Sequence, residues 1–328
     1  MAWANQSTTR RGRKKSGKSR GLRRLLVVLL VLAAVVALVV LALRIAQRVD
    51  VPIPGVPEPE PTEELTQPAH CPDVQLLSIP GTWESSANDD PFNPSANPNS
   101  LLLSVTQPLQ QQFGAERAEI YTLPYPAQFQ RPGGPPEMTY DDSRRAGTDA
   151  ARDVLAAKHD ECWLTSYVLV GFSQGAVIAG DIASEIGNGN GPVPAENVLG
   201  VALVADGRRD PEAAPTAGPP VSGIGLEVSL AGFPFLPGAT FSGKRSGGFG
   251  DLADKTVQIC APNDGICDAP VLTDLLGAIH RLFNDYIQNP VHAMYHTFVI
   301  DENGTTTPQW LTQWSTDLIN EAPRPAHP

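Results

Sequence analysis

Basic residues are scarce over most of this chain. Of the 24 Lys and Arg among its 328 residues, eleven precede the first acid, Asp50, leaving thirteen against all 35 Asp and Glu from there onward. A body with that acidic excess repels polyanions, which excludes nucleic acid as its expected partner. Zinc-site spacing is also missing. The four cysteines include no C-x2-C pair, and no cluster of histidines accompanies them, so no metal is expected. No internal repeat is visible, which excludes a solenoid or propeller. Acids are absent from residues 1–24, which carry nine bases.

Directly after those bases comes LLVVLLVLAAVVALVVLAL (25–43), nineteen apolar residues without a break. As a helix the run reaches roughly 28 Å, close to a hydrocarbon core of about 30 Å. It is longer than the apolar region of a signal peptide and is followed by Arg44-Ile-Ala-Gln-Arg48 rather than a small-residue cleavage site. The expectation is one uncleaved transmembrane helix, with the membrane as partner. The bases place the N-terminus in the cytoplasm and the remainder in the periplasm or cell wall. Residues 51–69 are rich in Pro and Glu, the composition of an extended spacer. The expected division is a basic tail (1–24), an anchor (25–43), a linker (44–70), a folded domain (71–320) and a short tail (321–328).

Outside the cytoplasm, four cysteines imply two disulfides with three possible pairings. Cys260 and Cys267 are near neighbours, which favours joining them and leaves Cys71 with Cys162. Along the domain, strand-like runs (74–79, 119–123, 166–171, 198–205, 256–260) alternate with helix-like spacing (101–113, 141–158, 176–186, 271–288, 309–320). Several strands are apolar throughout. The expected class is therefore α/β, with a mostly parallel sheet covered by helices on both faces. Residues 207–250 interrupt this order and are Gly- and Pro-rich. Apolar residues alternate there at Ile224, Leu226, Val228 and Leu230, which reads either as an edge hairpin with a loose connection or as a functional insertion.

The chemistry centres on GFSQG (171–175), between the strand ending at Gly171 and the helix starting at Ala176. Strand, G-x-S-x-G and helix together are the context of a nucleophile elbow, and the N–H of Gln174 at the helix start is an oxyanion donor. In that arrangement the acid and then the histidine follow the serine. Order removes His70 and His159. His280 falls inside the helical pattern, and His327 lies in the tail. His292 and His296 remain. Asp264, inside Cys260-Ala-Pro-Asn-Asp-Gly-Ile-Cys267, is the acid a short covalent loop would hold, with Asp268 as the alternative.

These features together resemble the cutinases, serine esterases of the α/β-hydrolase fold. The resemblance rests on Cys162 eleven residues before Ser173, the elbow G-F-S-Q-G, Asp264 in C-x3-D-x2-C and His292-Ala-Met-Tyr295. It implies His292 rather than His296 as the base. It also implies Thr82, in Gly81-Thr-Trp-Glu84, and Gln174 as the oxyanion hole. The anchor, spacer and insertion are most similar to the membrane-anchored cutinase-like proteins of mycobacteria. That likeness implies phospholipase A and thioesterase activity on lipid or acyl-thioester substrates, in mycolic-acid envelope metabolism. The triad needs no cofactor. An acyltransferase using the same triad and a catalytically silent envelope-binding module are the alternatives.

Overall fold

Strands buried on both faces need apolar side chains at every position rather than at alternate ones. The computed structural model describes residues 19–46, 65–131, 133–232, 237–271 and 290–328. It places six strands in one sheet: β1 (Val74–Ile79), β2 (Ala118–Thr122), β3 (Ser166–Phe172), β4 (Val198–Val204), β5 (Thr216–Ala217) and β6 (Thr256–Ile259). Their order is β2-β1-β3-β4-β6-β5, and every pairing is parallel. The sheet lies in the compact unit Glu64–Pro328.

Helices cover both faces. On one, α2 (Leu103–Gln112) and a helix at Thr307–Glu321 pack Val105, Leu109, Leu311 and Ile319 against Val74, Leu76 and Val168. On the other, α3 (Tyr140–Glu161) and α4 (Gln174–Gly187) pack Ala151, Leu155, Ile178 and Ile182 against Leu77, Ile79 and Leu169. The start of α3 is fixed by Thr139, whose hydroxyl accepts from the Asp142 N–H, with Asp141 and Asp142 in the first turn facing the positive end of the helix. The α/β expectation and the strand positions agree with the sequence patterns to within about two residues. The expected helix 271–288 falls, beyond Val271, outside the described residues.

One expectation changes. Among the described residues, 207–250 form no alternating hairpin. β5 adds a two-residue edge, Ile224 bridges Ala269, and Leu226–Ser229 is a helical turn, α5, which makes the C-terminal helix α6. Over 224–229 the alternation is inverted, and only Leu230 is buried as its pattern predicts. Glu227 and Ser229 are buried, while Ile224, Leu226 and Val228 keep partial exposure. Glu227 accepts from the Tyr140 hydroxyl at 2.6 Å and the Arg144 guanidinium at 2.9 Å. Burial pushes its carboxyl upward, with Arg144 pulling against it. This ion pair, rather than apolar periodicity, sets which face turns inward.

A second expectation concerns the N-terminal helix α1 (Ser19–Ala46). Among the described residues no helix is long and apolar enough to cross a membrane, in contrast to the span expected over 25–43. On α1 the side chains of residues 27–42 are exposed.

The sheet order matters for function. From β1 the chain steps outward to β2, then returns to the other side of β1 for β3. The crevice beyond the carboxyl ends of β1 and β3 is therefore the topological switch point, where open α/β sheets bind ligands. Thr82 follows β1 and Ser173 follows β3.

Candidate active site

Gly171, Phe172 and Ser173 turn the chain from β3 into α4. Ser173 adopts φ 54° and ψ −118°, a left-handed conformation unusual for a residue with a side chain. Its N–H is held by the Val204 carbonyl at 2.9 Å. The two glycines supply space rather than unusual torsions. A Cβ on Gly175 would lie 1.9 Å from the Ile79 carbonyl oxygen, and one on Gly171 would lie 2.3 Å from that of Gly175. The α4 N-terminus can approach β1 and β3 this closely only without those side chains.

The turn aims Ser173 Oγ at His292 Nε2, 2.9 Å away. His292 sits in the short 3₁₀ turn Pro290–Ala293, and its Nδ1 lies 3.0 and 3.1 Å from the two Asp264 carboxylate oxygens. With Nδ1–H donating to the carboxylate, Nε2 is left to accept from the serine hydroxyl. Phe172 stacks on the imidazole, with ring centroids 5.5 Å apart. The Asp264 carboxylate is fully buried, whereas the His292 side chain is 28% exposed, so a substrate can reach the histidine and water cannot reach the acid.

Asp264 is held from several directions. Its loop is closed by the Cys260–Cys267 disulfide, as the spacing predicts. The Ile266 N–H donates to Oδ1 at 2.9 Å. The buried Tyr295 hydroxyl donates to Oδ2 at 2.8 Å and accepts from the Ala261 N–H. Burial keeps that phenol far above its usual pKa, so it remains a donor. Arg209, also buried, donates to the carbonyls of Gly223 and Cys267, tying the insertion to the acid loop.

The alternatives lie elsewhere. His296 Nε2 faces the Asn99 carbonyl at 3.1 Å, and Asp268 accepts from the N–H groups of Gly223 and Asn263. Both hold loops in place. The other disulfide, Cys71–Cys162, joins the entry to β1 with the end of α3. Its sulfurs, beside His70, offer no thiolate to a metal.

Thr82 is bracketed by fixed neighbours. The Gly81 N–H donates to Glu84 Oε2 at 3.1 Å, and the same carboxylate accepts from Ser100 Oγ and the Leu101 N–H. Burial pushes the Glu84 carboxyl upward. On the other side, the Trp83 N–H donates to the Ala127 carbonyl at 2.6 Å. The Gln174 N–H stands in the first turn of α4, where backbone donors have no partner within the helix. The sequence patterns gave no sign of Ala127, Gln128 and Ser143 near this site. A lone serine in a polar helix carries no signal of burial, and these residues meet the elbow only through tertiary contacts.

The family model described as Cutinase matches residues 94–301. A protein of Corynebacterium glutamicum named "Carboxylesterase Culp6 homolog" is 50% identical over 273 residues, covering 81% of this chain and 88% of that protein. Among solved structures, the catalytic core of acetyl xylan esterase from Trichoderma reesei aligns with 20% identity and a TM-score of 0.47, over 77% of this chain and all of that one. A cutinase-like protein from Cryptococcus sp. aligns with 17% identity and a TM-score of 0.46, over 78% of this chain and all of that one. On the family match and the half-identical relative, the chain belongs to the cutinase family of α/β-hydrolase-fold esterases.

Proposed function

We propose that this protein hydrolyses lipid acyl esters and thioesters by acyl transfer through Ser173, His292 and Asp264. The observation that carries the reading is the continuous hydrogen-bonded line from Ser173 Oγ through His292 to Asp264, at 2.9 and 3.0 Å. His292 takes the hydroxyl proton as Ser173 Oγ attacks the acyl carbon. Thr82 and the Gln174 N–H stabilise the oxyanion. As the intermediate collapses, His292 returns the proton to the leaving alcohol or thiol, and the acyl group stays on Ser173. Water then enters by the reverse sequence and releases the acid. Asp264 keeps the imidazole in one tautomer and offsets its positive charge.

The carboxylesterase name of the half-identical relative supports the ester reading. The acyl-chain reading draws on Ile224, Leu226 and Val228, partly exposed and joined to the acid loop through the Ile224–Ala269 bridge and the Leu226 N–H to Ile266 carbonyl bond. A phospholipase A and thioesterase specificity within the mycolic-acid envelope follows from the sequence resemblance. The test is turnover of p-nitrophenyl esters of increasing chain length, a diacyl phospholipid and an acyl-CoA by the full chain in detergent. Rates rising with chain length, with phospholipid and thioester both cleaved, are expected. Turnover of acetyl esters alone would leave an esterase and remove the lipid specificity.

We also propose attachment to the membrane with the Glu64–Pro328 unit outside. This reading draws on the apolar run 25–43 taken whole, the nine bases before it and the two disulfides. The full chain is expected to sediment with membranes after an alkaline carbonate wash. Recovery in the soluble fraction would remove the anchor.

A further inference from the structure

We propose that the Gln174 side chain, with Ser143 and the backbone of Gln128, positions the oxyanion hole. The inference rests on the catalytic reading above and extends it to groups that touch no substrate. Three hydrogen bonds close a ring. The Gln128 N–H donates to Ser143 Oγ at 2.9 Å, Ser143 Oγ donates to Gln174 Oε1 at 2.9 Å, and Gln174 Nε2 donates to the Gln128 carbonyl at 3.2 Å. Ser143 and Gln174 are both buried. The ring fixes Gln128, and its neighbour Ala127 presents the carbonyl that holds the Trp83 N–H at 2.6 Å. Trp83 follows Thr82. One glutamine therefore supplies one oxyanion donor from its backbone and, through its side chain, anchors the loop carrying the other.

The backbone strain agrees with this role. Ala127 (φ 49°) and Trp83 (φ 62°) face each other across that hydrogen bond, both left-handed and neither a glycine. Such conformations persist only where surrounding contacts over-determine them. The residue type is specified as well. The position requires an acceptor for Ser143 and a donor for Gln128 on one terminal group, which an amide has, a carboxylate lacks and a thioether lacks. Asparagine has both but is one methylene shorter. Thr82 is then bracketed by Glu84 on the Gly81 side and by the glutamine ring on the Trp83 side.

The experiment compares Ser143→Ala, Gln174→Glu and the double variant, each as full chain. Gln174→Glu keeps the backbone N–H and nearly the same volume but turns an acceptor toward the Gln128 carbonyl. Each single variant is expected to lower kcat on a short ester about tenfold, less than outright loss of a donor, with KM within about twofold. The double variant is expected to fall no further than the worse single one, because both break one ring. Affinity for a trifluoromethyl ketone is expected to weaken by the same factor as kcat. There Ser173 Oγ bonds to the carbonyl carbon, its proton passes to His292, and the resulting oxyanion occupies the hole. The Trp83 amide is expected to exchange with solvent faster in both single variants. Unchanged Trp83 exchange, or loss of kcat only in step with loss of folded protein, would overturn the proposal. Wild-type turnover judges the catalytic reading separately. If wild type cleaved no ester, that reading would fail, while Trp83 exchange would still decide whether the ring holds the loop.

Discussion

Ser173→Ala is expected to lower kcat for ester hydrolysis by roughly 10⁴-fold or more, the scale seen when a triad loses its nucleophile. Labelling by a fluorophosphonate should vanish with it. The hydroxyl lies 2.9 Å from His292 Nε2, and alanine keeps a Cβ but leaves the imidazole nothing to activate. Because Ser173 is held at φ 54° by the surrounding backbone, alanine should adopt the same conformation and folding should change little. Thermal unfolding within a few degrees of wild type would separate lost chemistry from lost structure. Labelling that persists in the variant would move the nucleophile elsewhere and remove the mechanism proposed above.

Gly175→Ala is expected to have the next largest effect, by a different route. Its added Cβ would lie 1.9 Å from the Ile79 carbonyl oxygen and 2.4 Å from that of Pro80, both backbone atoms at the end of β1. No rotamer relieves such a contact, so β1 and the start of α4 must separate. Overpacking of this kind destabilises a core by about 3 kcal/mol or more. The same separation pulls Thr82 away from Ser173. A misplacement near 1 Å at a reacting centre lowers rate about a hundredfold. Urea unfolding and kcat measured on the folded fraction test both parts. An unchanged midpoint together with unchanged kcat would show that the close approach of α4 to β1 is wrong.

The Ser173–His292–Asp264 line could be assembled from sequence because the serine sits in an elbow between strand and helix, the acid in a cysteine-closed loop, and the resemblance to cutinases at His-x-x-Tyr selects His292 from the two histidines that chain order leaves. The surrounding strain was mostly hidden. Among the described residues, the non-glycines with positive φ are Trp83, Ala127, Ser173, Ala205 and Asn263, and each lies just past the end of β1, β2, β3, β4 or β6. The glycines around Ser173 announce its turn, and asparagine tolerates the left-handed region. Trp83, Ala127 and Ala205 give no such sign, because distant partners enforce their conformations. Trp83 is held by Ala127, and Ala205 donates to the Ile259 carbonyl on a neighbouring strand.

Residues 224–230 failed for a related reason. Their alternation predicts an inward apolar face, but Arg144 and Tyr140, 83 and 87 positions earlier, draw Glu227 inside instead. Side-chain period indicates a face only when apolar burial outweighs every competing interaction. Here a paired, hydrogen-bonded carboxylate prevails over three aliphatic side chains that keep partial exposure.

By itself the sequence determined the parallel α/β sheet, the disulfide partners, the serine turn and the order of acid and base. Those follow from period, spacing and chain direction, which are local properties. Tertiary structure decided how Tyr295 and Arg209 brace the acid loop, and why a glutamine follows the serine. These depend on atoms brought within about 3 Å from segments far apart in the chain, and no local pattern encodes that distance.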